Sequence, residues 1–370
     1  FLLQHRKGRR FRYLEFFFKY YLRLTPPLAL VMLVYATLAV HVTDGPIWRR
    51  LFEFQQMFCQ RHWWSNMLYI SNYANPHEMC LPQTWYLAIE FQMYILSPLL
   101  LLPLLSNPKR GLILVAVTFL ATILGGIVNS YMMEIQAGGL IRLDRTREGT
   151  NVLDYFYTQY RAASFLMGIA LGFLLFKIKE EECLVQFSKM QLLAGWVTAV
   201  TLFIATVLAV SVFQDPLYVY TAWLDTAYGI LHRPTLSLAV SWFILVCSIG
   251  SGGVLNKVLS WKVLLPLYRL SHCVFLVHFL VQDVQAYSTR TPVTTDFLSL
   301  WYLSFADFFI SHFLAVVVYL AAEAPAINLL LLVVEGKVET EESGCKNNSQ
   351  SATFNKNTIQ LENGLHLEKL

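Results

Sequence analysis

Glu90 lies inside residues 84–105, an apolar stretch long enough to cross a bilayer, which takes about 20 helical residues. A carboxylate at that depth is costly unless it is paired, wetted or protonated, so it marks a candidate functional site. Tyr86, Glu90 and Tyr94 recur every four residues, so on a helix they share a face and a phenol can reach the carboxylate. Burial and hydrogen bonding shift a carboxyl's proton affinity in opposite directions, which lets such a group be tuned for acid–base work. Two readings stand: a base or orienting group in a polar cavity, or a structural carboxylate paired with Arg161 from another helix. His278 closes a second polar-studded run, with Ser271 seven residues earlier on about the same face. It would shuttle a proton or position substrate; the alternative is a hydrogen-bonded packing residue. Arg23 and Arg269 sit at helix ends, where guanidinium groups suit bidentate phosphate recognition or simply snorkel to the interface. Asp307 and His312 read as a structural pair within the last helix, with a polar relay as the alternative.

The elements that must position these groups are membrane helices. The chain is 56% hydrophobic and 14% charged, against roughly 25% charged in soluble domains. The fold class is therefore all-α, a polytopic transmembrane bundle of about eight helices. Hydropathy places them near 24–42, 84–105, 111–128, 160–176, 192–212, 236–249, 264–281 and 300–322, with a further apolar run at 326–334 that extends the last helix or lies at the interface. Pro26 and Pro27 fit the first turn of a helix, where a missing N–H costs nothing.

Charge orients the bundle. The N-terminal arm, 106–110, 177–190, 251–263 and the tail hold every Lys, while 44–83, 129–159, 214–233 and 282–299 hold none. The positive-inside rule puts the Lys side, and both ends of the chain, in the cytoplasm of a multi-pass protein of the endoplasmic reticulum or plasma membrane. Residues 1–334 form the helical domain, and 335–370 read as a disordered cytoplasmic tail. On this topology the Asn347 sequon is on the wrong side for glycosylation. Cys59 and Cys80 share a loop placed outside, where a disulfide fits the redox compartment; two free thiols are the alternative. Cys183 and Cys345 fall on the reducing side, and Cys247 and Cys273 read as packing residues. The basic arm at 6–12 reads as a topology signal near anionic lipid that could also attract an anionic donor. No nucleic-acid-binding pattern, Gly-rich phosphate loop, metal-ligand spacing or Ser-His-Asp set occurs in the sequence.

Two runs resemble acyltransferase family three, the polytopic membrane O-acyltransferases. Thr84-Trp-Tyr-Leu-Ala-Ile-Glu-Phe-Gln-Met-Tyr-Ile-Leu-Ser-Pro-Leu is similar to its signature helix, and Tyr268-Arg-Leu-Ser-His-Cys-Val-Phe-Leu-Val-His278 to its late helix. Leu22-Arg-Leu-Thr-Pro-Pro27 and Glu323-Ala-Pro325 resemble its Arg-then-Pro segment and its closing Glu-x-Pro. The loop Cys59-x3-Trp63-Trp64-x-Asn66-x2-Tyr69-x2-Asn72, then Cys80, resembles the nose-resistant-to-fluoxetine-type branch. The family often has Arg-x-x-Arg before the Pro; here Tyr20 takes the first position and Arg23 the second. The family also begins with two further helices, the first bearing a His thought to be catalytic. This chain opens at Phe1 without an initiator Met, so a truncated body that lacks the family's principal base is expected.

The resemblance implies acyl transfer from an acyl-CoA co-substrate to a hydroxyl-bearing acceptor, with membrane lipid as the surroundings and no bound cofactor or metal. Glu90 and His278 are the expected catalytic residues. Arg23, Arg269, Trp85, Gln92, Tyr94, Arg161 and Ser271 are the expected substrate-binding residues. The competing readings are lipid or small-molecule transport on the same fold, and a catalytically degenerate relative that only scaffolds.

Overall fold

The computed structural model describes residues 13–45, 47–135, 137, 156–180, 187–215, 218–290 and 296–332. The 6–12 arm, Cys183, Cys345, the Asn347 sequon and the 335–370 tail lie outside the described residues. Among those described there is no strand, and eight helices are long and apolar enough to cross a membrane. They are α1 (Tyr13–Thr37), α3 (Trp85–Ser106), α4 (Pro108–Met132), α5 (Ala162–Glu180), α6 (Lys189–Gln214), α7 (Ala222–Ser248), α8 (Leu264–Tyr287) and α9 (Phe297–Val318). A further helix, α2 (Trp48–Met67), is amphipathic and lies between the first two spans. The protein is an all-α multi-pass membrane bundle.

Three expectations are corrected by where helices begin. First, α1 starts at Tyr13 rather than near residue 24, so Pro26 and Pro27 lie in its interior. The charges of Glu15, Lys19 and Arg23 depress the hydropathy of its first turns. Yet Glu15 and Lys19 pair at 2.7 Å along the helix, and the aromatic residues between them pack on α3. Interior prolines remove two backbone donors, a cost that membrane helices tolerate when neighbours re-satisfy the carbonyls. Second, α7 begins at Ala222, fourteen residues before the expected 236. Its polar first half is internally satisfied: Asp225 accepts from Thr221 N and Tyr218 Oη, and His232 bonds the Tyr228 carbonyl. Third, the loop read at 44–83 contains α2, whose Trp48 and Phe52 are buried. Gln56 and Gln60 of α2 both donate to the Ala36 carbonyl, capping the orphan end of α1.

The last span continues without a break. Pro325 cannot donate back into the helix, and a π turn at Tyr319–Glu323 absorbs the offset before helix resumes to residue 332. The apolar run after Pro325 therefore extends the helix.

Two packing clusters organise the bundle. One joins α1, α2, the start of α3, α8 and α9 around Leu28, Tyr35, Phe91 and Leu276. The other joins the end of α3 to α4 and α5 around Leu104, Leu166 and Phe173. Helix α3 belongs to both, so the residues along it sit at the seam.

Candidate functional site

Glu90 faces α1. Its Oε1 accepts a 2.6 Å hydrogen bond from Tyr20 Oη, across 70 residues of sequence. The Tyr20 ring is stacked on Tyr94 at 3.8 Å, and Phe16 stacks on Tyr94 at 4.1 Å. Phe91 lies 6.0 Å from Tyr20 and 4.2 Å from Tyr69, which extends the pile. These contacts hold Tyr20 in place, and Tyr20 in turn fixes the carboxylate. Glu90 is exposed, and its Oε2 takes no hydrogen bond among the described residues. One oxygen is thus anchored and the other is free to meet a proton donor. The sequence had assigned the phenol role to Tyr86 or Tyr94 of the same helix; the structure gives it to Tyr20.

Tyr20 occupies the position where the family pattern has an Arg. A neutral phenol here donates to Glu90 without neutralising it. Arg23, one turn on, lies within the electrostatic reach of both Tyr20 and Tyr94. Tyr20 thus links Glu90 and Tyr94, with Arg23 one turn along the same helix.

The other expected residues divide. Trp85 opens α3, and the Arg161 guanidinium lies 4.7 Å from its ring centroid in a cation–π contact. Both thus sit at the end of α3 before Glu90. His278 bonds the Phe275 carbonyl through Nδ1 at 2.7 Å, leaving Nε2 without a hydrogen bond among the described residues. No hydrogen bond or ring contact joins His278 to Glu90 among those residues. The two helices are instead tied at Gln83, whose Nε2 donates to the Leu276 carbonyl, and at Tyr86, whose ring lies 5.7 Å from Phe275. Ser271 is exposed and donates to the Tyr268 carbonyl of its own helix; Arg269 is exposed. Asp307 receives the side-chain amide of Gln285, in the orientation that satisfies both groups, and His312 bonds its own helix at Phe308.

Gln92 is on a different face of α3 from Glu90 and Tyr94, beside Tyr69, and is fully engaged. Its Nε2 donates to the Tyr69 carbonyl at 2.8 Å and to Asn72 Oδ1 at 2.9 Å, and its Oε1 accepts from Thr158 Oγ1 at 2.5 Å. Asn72 in turn donates to Thr158 and the Phe156 carbonyl. Its geometry is that of a residue that ties two loops to α3. The same loop explains its own motif. Cys59 and Cys80 form a disulfide, Asn66 donates to Thr84, and Tyr69 is buried with its hydroxyl 3.1 Å from Thr25. Tyr69 has φ 56°, a left-handed conformation disfavoured for an aromatic residue and held here by the packing of its ring. Burial pushes its hydroxyl pKa up, so it stays a neutral hydrogen-bonding group.

Sequence reasoning passed over a second polar cluster. Glu323, in the π turn, is 2% exposed and accepts from Cys273 Sγ at 3.0 Å. His272 hydrogen-bonds the Leu24 backbone, next to the carbonyls that Pro26 and Pro27 leave without donors. Arg23 is within the field of both His272 and Glu323. The available signal was the Glu-x-Pro at 323–325: a carboxylate before a proline in an apolar helix marks a place where backbone geometry is broken.

The family profile described as "Acyltransferase domain", that of acyltransferase family three, matches residues 1–330. The chain is 26% identical over 325 residues to nose resistant to fluoxetine protein 6 of Caenorhabditis elegans, a match covering 84% of this chain and 39% of the relative. The chain thus spans about two fifths of the length of that curated relative. No solved structure matches it. A profile that runs from the first residue through the π turn, over a bundle of eight spans, places this chain in acyltransferase family three.

Proposed function

We propose that this chain carries the body of an integral membrane acyltransferase that moves an acyl group from an acyl-CoA to a hydroxyl acceptor. The observation that carries the reading is the half-anchored carboxylate: Glu90 Oε1 is held by Tyr20, while Oε2 is open. In the reaction the acceptor oxygen bonds to the thioester carbonyl carbon, the C–S bond breaks and the thiolate leaves. Glu90 Oε2 takes or orients the acceptor proton, and the leaving thiolate is protonated in turn. Arg23, beside Tyr20 and Tyr94, and Arg269 supply positive charge for the phosphates of the donor. His278 Nε2 offers a proton path on the α8 side. The acceptor contacts fall to Tyr94, Trp85 and Arg161, with Ser271 further along α8.

The orientation follows from the charge pattern. The disulfide-bearing loop faces the oxidising side, and the Lys-bearing ends, with both termini, face the cytoplasm. A second reading has support from one fact. Glu90 is exposed at membrane depth, as a residue lining a permeation path would be. The two separate on product chemistry. Purified full-length protein is incubated with acyl-CoA labelled in its acyl group and a membrane extract supplying acceptors. The acyltransferase reading expects free CoA thiol and a labelled ester in equal amounts. Movement of label across the membrane with the thioester intact would support transport and sink acyl transfer.

A further inference from the structure

Tyr86 precedes Glu90 by one turn of α3, on the same face. Tyr20 holds the carboxylate in its place, and the Tyr86 hydroxyl makes no hydrogen bond among the described residues. Its ring is fixed from two sides. It lies edge-on to Trp85 at 5.9 Å and tilted against Phe275 of α8 at 5.7 Å. The residue is nonetheless 49% exposed, so the ring is packed while the polar head is open. Phe275 also orients His278. Its carbonyl bonds His278 Nδ1 at 2.7 Å, and its ring lies 5.7 Å from the imidazole. Tyr86 is thus one helical turn from Glu90 and, through Phe275, one contact from His278.

The chemistry of these neighbours decides what a hydroxyl does there. A carbonyl only accepts, so Nδ1 carries the His278 proton and Nε2 of the neutral ring is an acceptor. Glu90 acting as a base is an acceptor too. Acyl transfer also requires a donor. When the acceptor oxygen bonds to the thioester carbon, the carbonyl electron pair moves onto oxygen, and that oxyanion is stabilised by a fixed N–H or O–H. Tyr20 already donates to Glu90, and Ser271 to the Tyr268 carbonyl. The Tyr94 ring is stacked on Phe16 and Tyr20 of α1, whereas Tyr86 meets α8.

We propose that Tyr86 is a further catalytic residue, whose O–H donates to the oxyanion of the tetrahedral intermediate. This assignment rests on the acyl-transfer reading. As the intermediate collapses, the C=O bond re-forms and the C–S bond breaks with its pair on sulfur. The proton that Glu90 took from the acceptor passes to the thiolate, and Tyr86 keeps its own proton throughout. The charged and titratable groups around its hydroxyl are Glu90, Arg161 beside Trp85, and His278.

The test is single-turnover transfer from labelled palmitoyl-CoA by the full-length protein in nanodiscs, with a membrane extract supplying acceptors. Tyr86→Phe keeps the ring between Trp85 and Phe275 and removes only the donor. Loss of one oxyanion donor slows the chemical step by roughly 10²–10³-fold. A fall of that order is expected, with the half-saturating palmitoyl-CoA concentration and the melting temperature unchanged. A ring-fluorinated tyrosine at the same position restores the hydroxyl and makes it more acidic. A donor must stay protonated, so the alkaline fall of the rate should move to lower pH, whereas a packing role would leave it in place. Transfer by Tyr86→Phe within a few-fold of the unmodified rate would overturn the proposal and leave acyl transfer standing. So would an alkaline limb that the fluorine does not move, or one moved only by fluorination at Tyr94, which would assign the donor there. No transfer by the unmodified protein would sink the acyl-transfer reading and this assignment with it.

Discussion

The two halves of the bundle are built differently. Around α1, the start of α3, α8 and the π turn, buried polar groups are dense: Glu323, Asn66, Asn72, Gln83 and Thr84 are each at most 3% exposed. In α4 to α7 the core contacts are Leu, Val, Phe and Ile, and the buried carboxylate, Asp225, is satisfied by backbone N–H groups and a tyrosine at a helix end. Prolines and the π turn break helix geometry in the first half at Pro26, Pro27 and Tyr319–Glu323. The second half keeps mostly regular helices, Pro234 being an interior exception, and an apolar cavity. The difference teaches where chemistry can live. Broken backbone and buried charge are tolerated only where neighbours satisfy them; such groups are concentrated in the half holding Glu90, while Asp225 in the other half is satisfied at a helix end. Regular apolar helices pack against the end of α3 and support it from behind.

The comparison is tested first at its covalent brace. Cys80→Ser opens a bridge across 21 residues and should cost about 3 kcal/mol by the loop-entropy account. A thermal unfolding curve of the full-length protein in nanodiscs should shift down, and reductant should reproduce the shift in the unmodified protein but not in the variant. Next comes the loop tether. Gln92→Leu strands the Tyr69 carbonyl and the Thr158 hydroxyl and should cost about 2 kcal/mol. If Gln92 only positions loops, its effect on turnover should follow the stability loss, and a large turnover defect at unchanged stability would return Gln92 to the substrate-binding set.

Tyr20→Phe keeps the stack on Tyr94 and removes only the hydroxyl. Losing a hydrogen bond to a charged group should cost about 1.5 kcal/mol of stability, and turnover should fall roughly tenfold if the anchor also positions the carboxylate in the transition state. The smallest effect is expected at a helix end. Asp296 caps α9 through the Ser299 N–H, which holds its carboxyl below the usual carboxylate range. The folded value being the lower one, its contribution is complete above the unfolded value near about 3.9 and is lost as pH falls through the folded value. Asp296→Asn keeps an acceptor, so a slightly flatter stability profile between about pH 5 and 2 is expected.

Much of this was legible from residues. Glu90 stood out because a carboxylate in an apolar run is expensive, and of the two readings of Cys59 and Cys80 in their shared loop, a bridge or two free thiols, the structure has the bridge. The partner of Glu90 was hidden, because Tyr20 lies 70 residues away and hydropathy placed it before the first helix. Polar residues misled wherever the structure satisfies them locally. Asp225 and His232 made the first half of α7 look like loop, and Glu15 and Lys19 did the same for α1. Gln92 shows the converse. Its type and place fitted a binding residue, and its three partners, which the sequence could not show, give it the geometry of a tether.

The most direct test of the central claim is single-turnover acyl transfer by the full-length protein with Glu90→Gln beside the unmodified enzyme. Glutamine keeps the shape and still accepts from Tyr20, but it cannot take a proton. A fall of about 10²-fold or more in the chemical step, with donor binding and melting temperature unchanged, is the predicted result. Transfer at the unmodified rate would contradict it and leave Glu90 as a structural carboxylate.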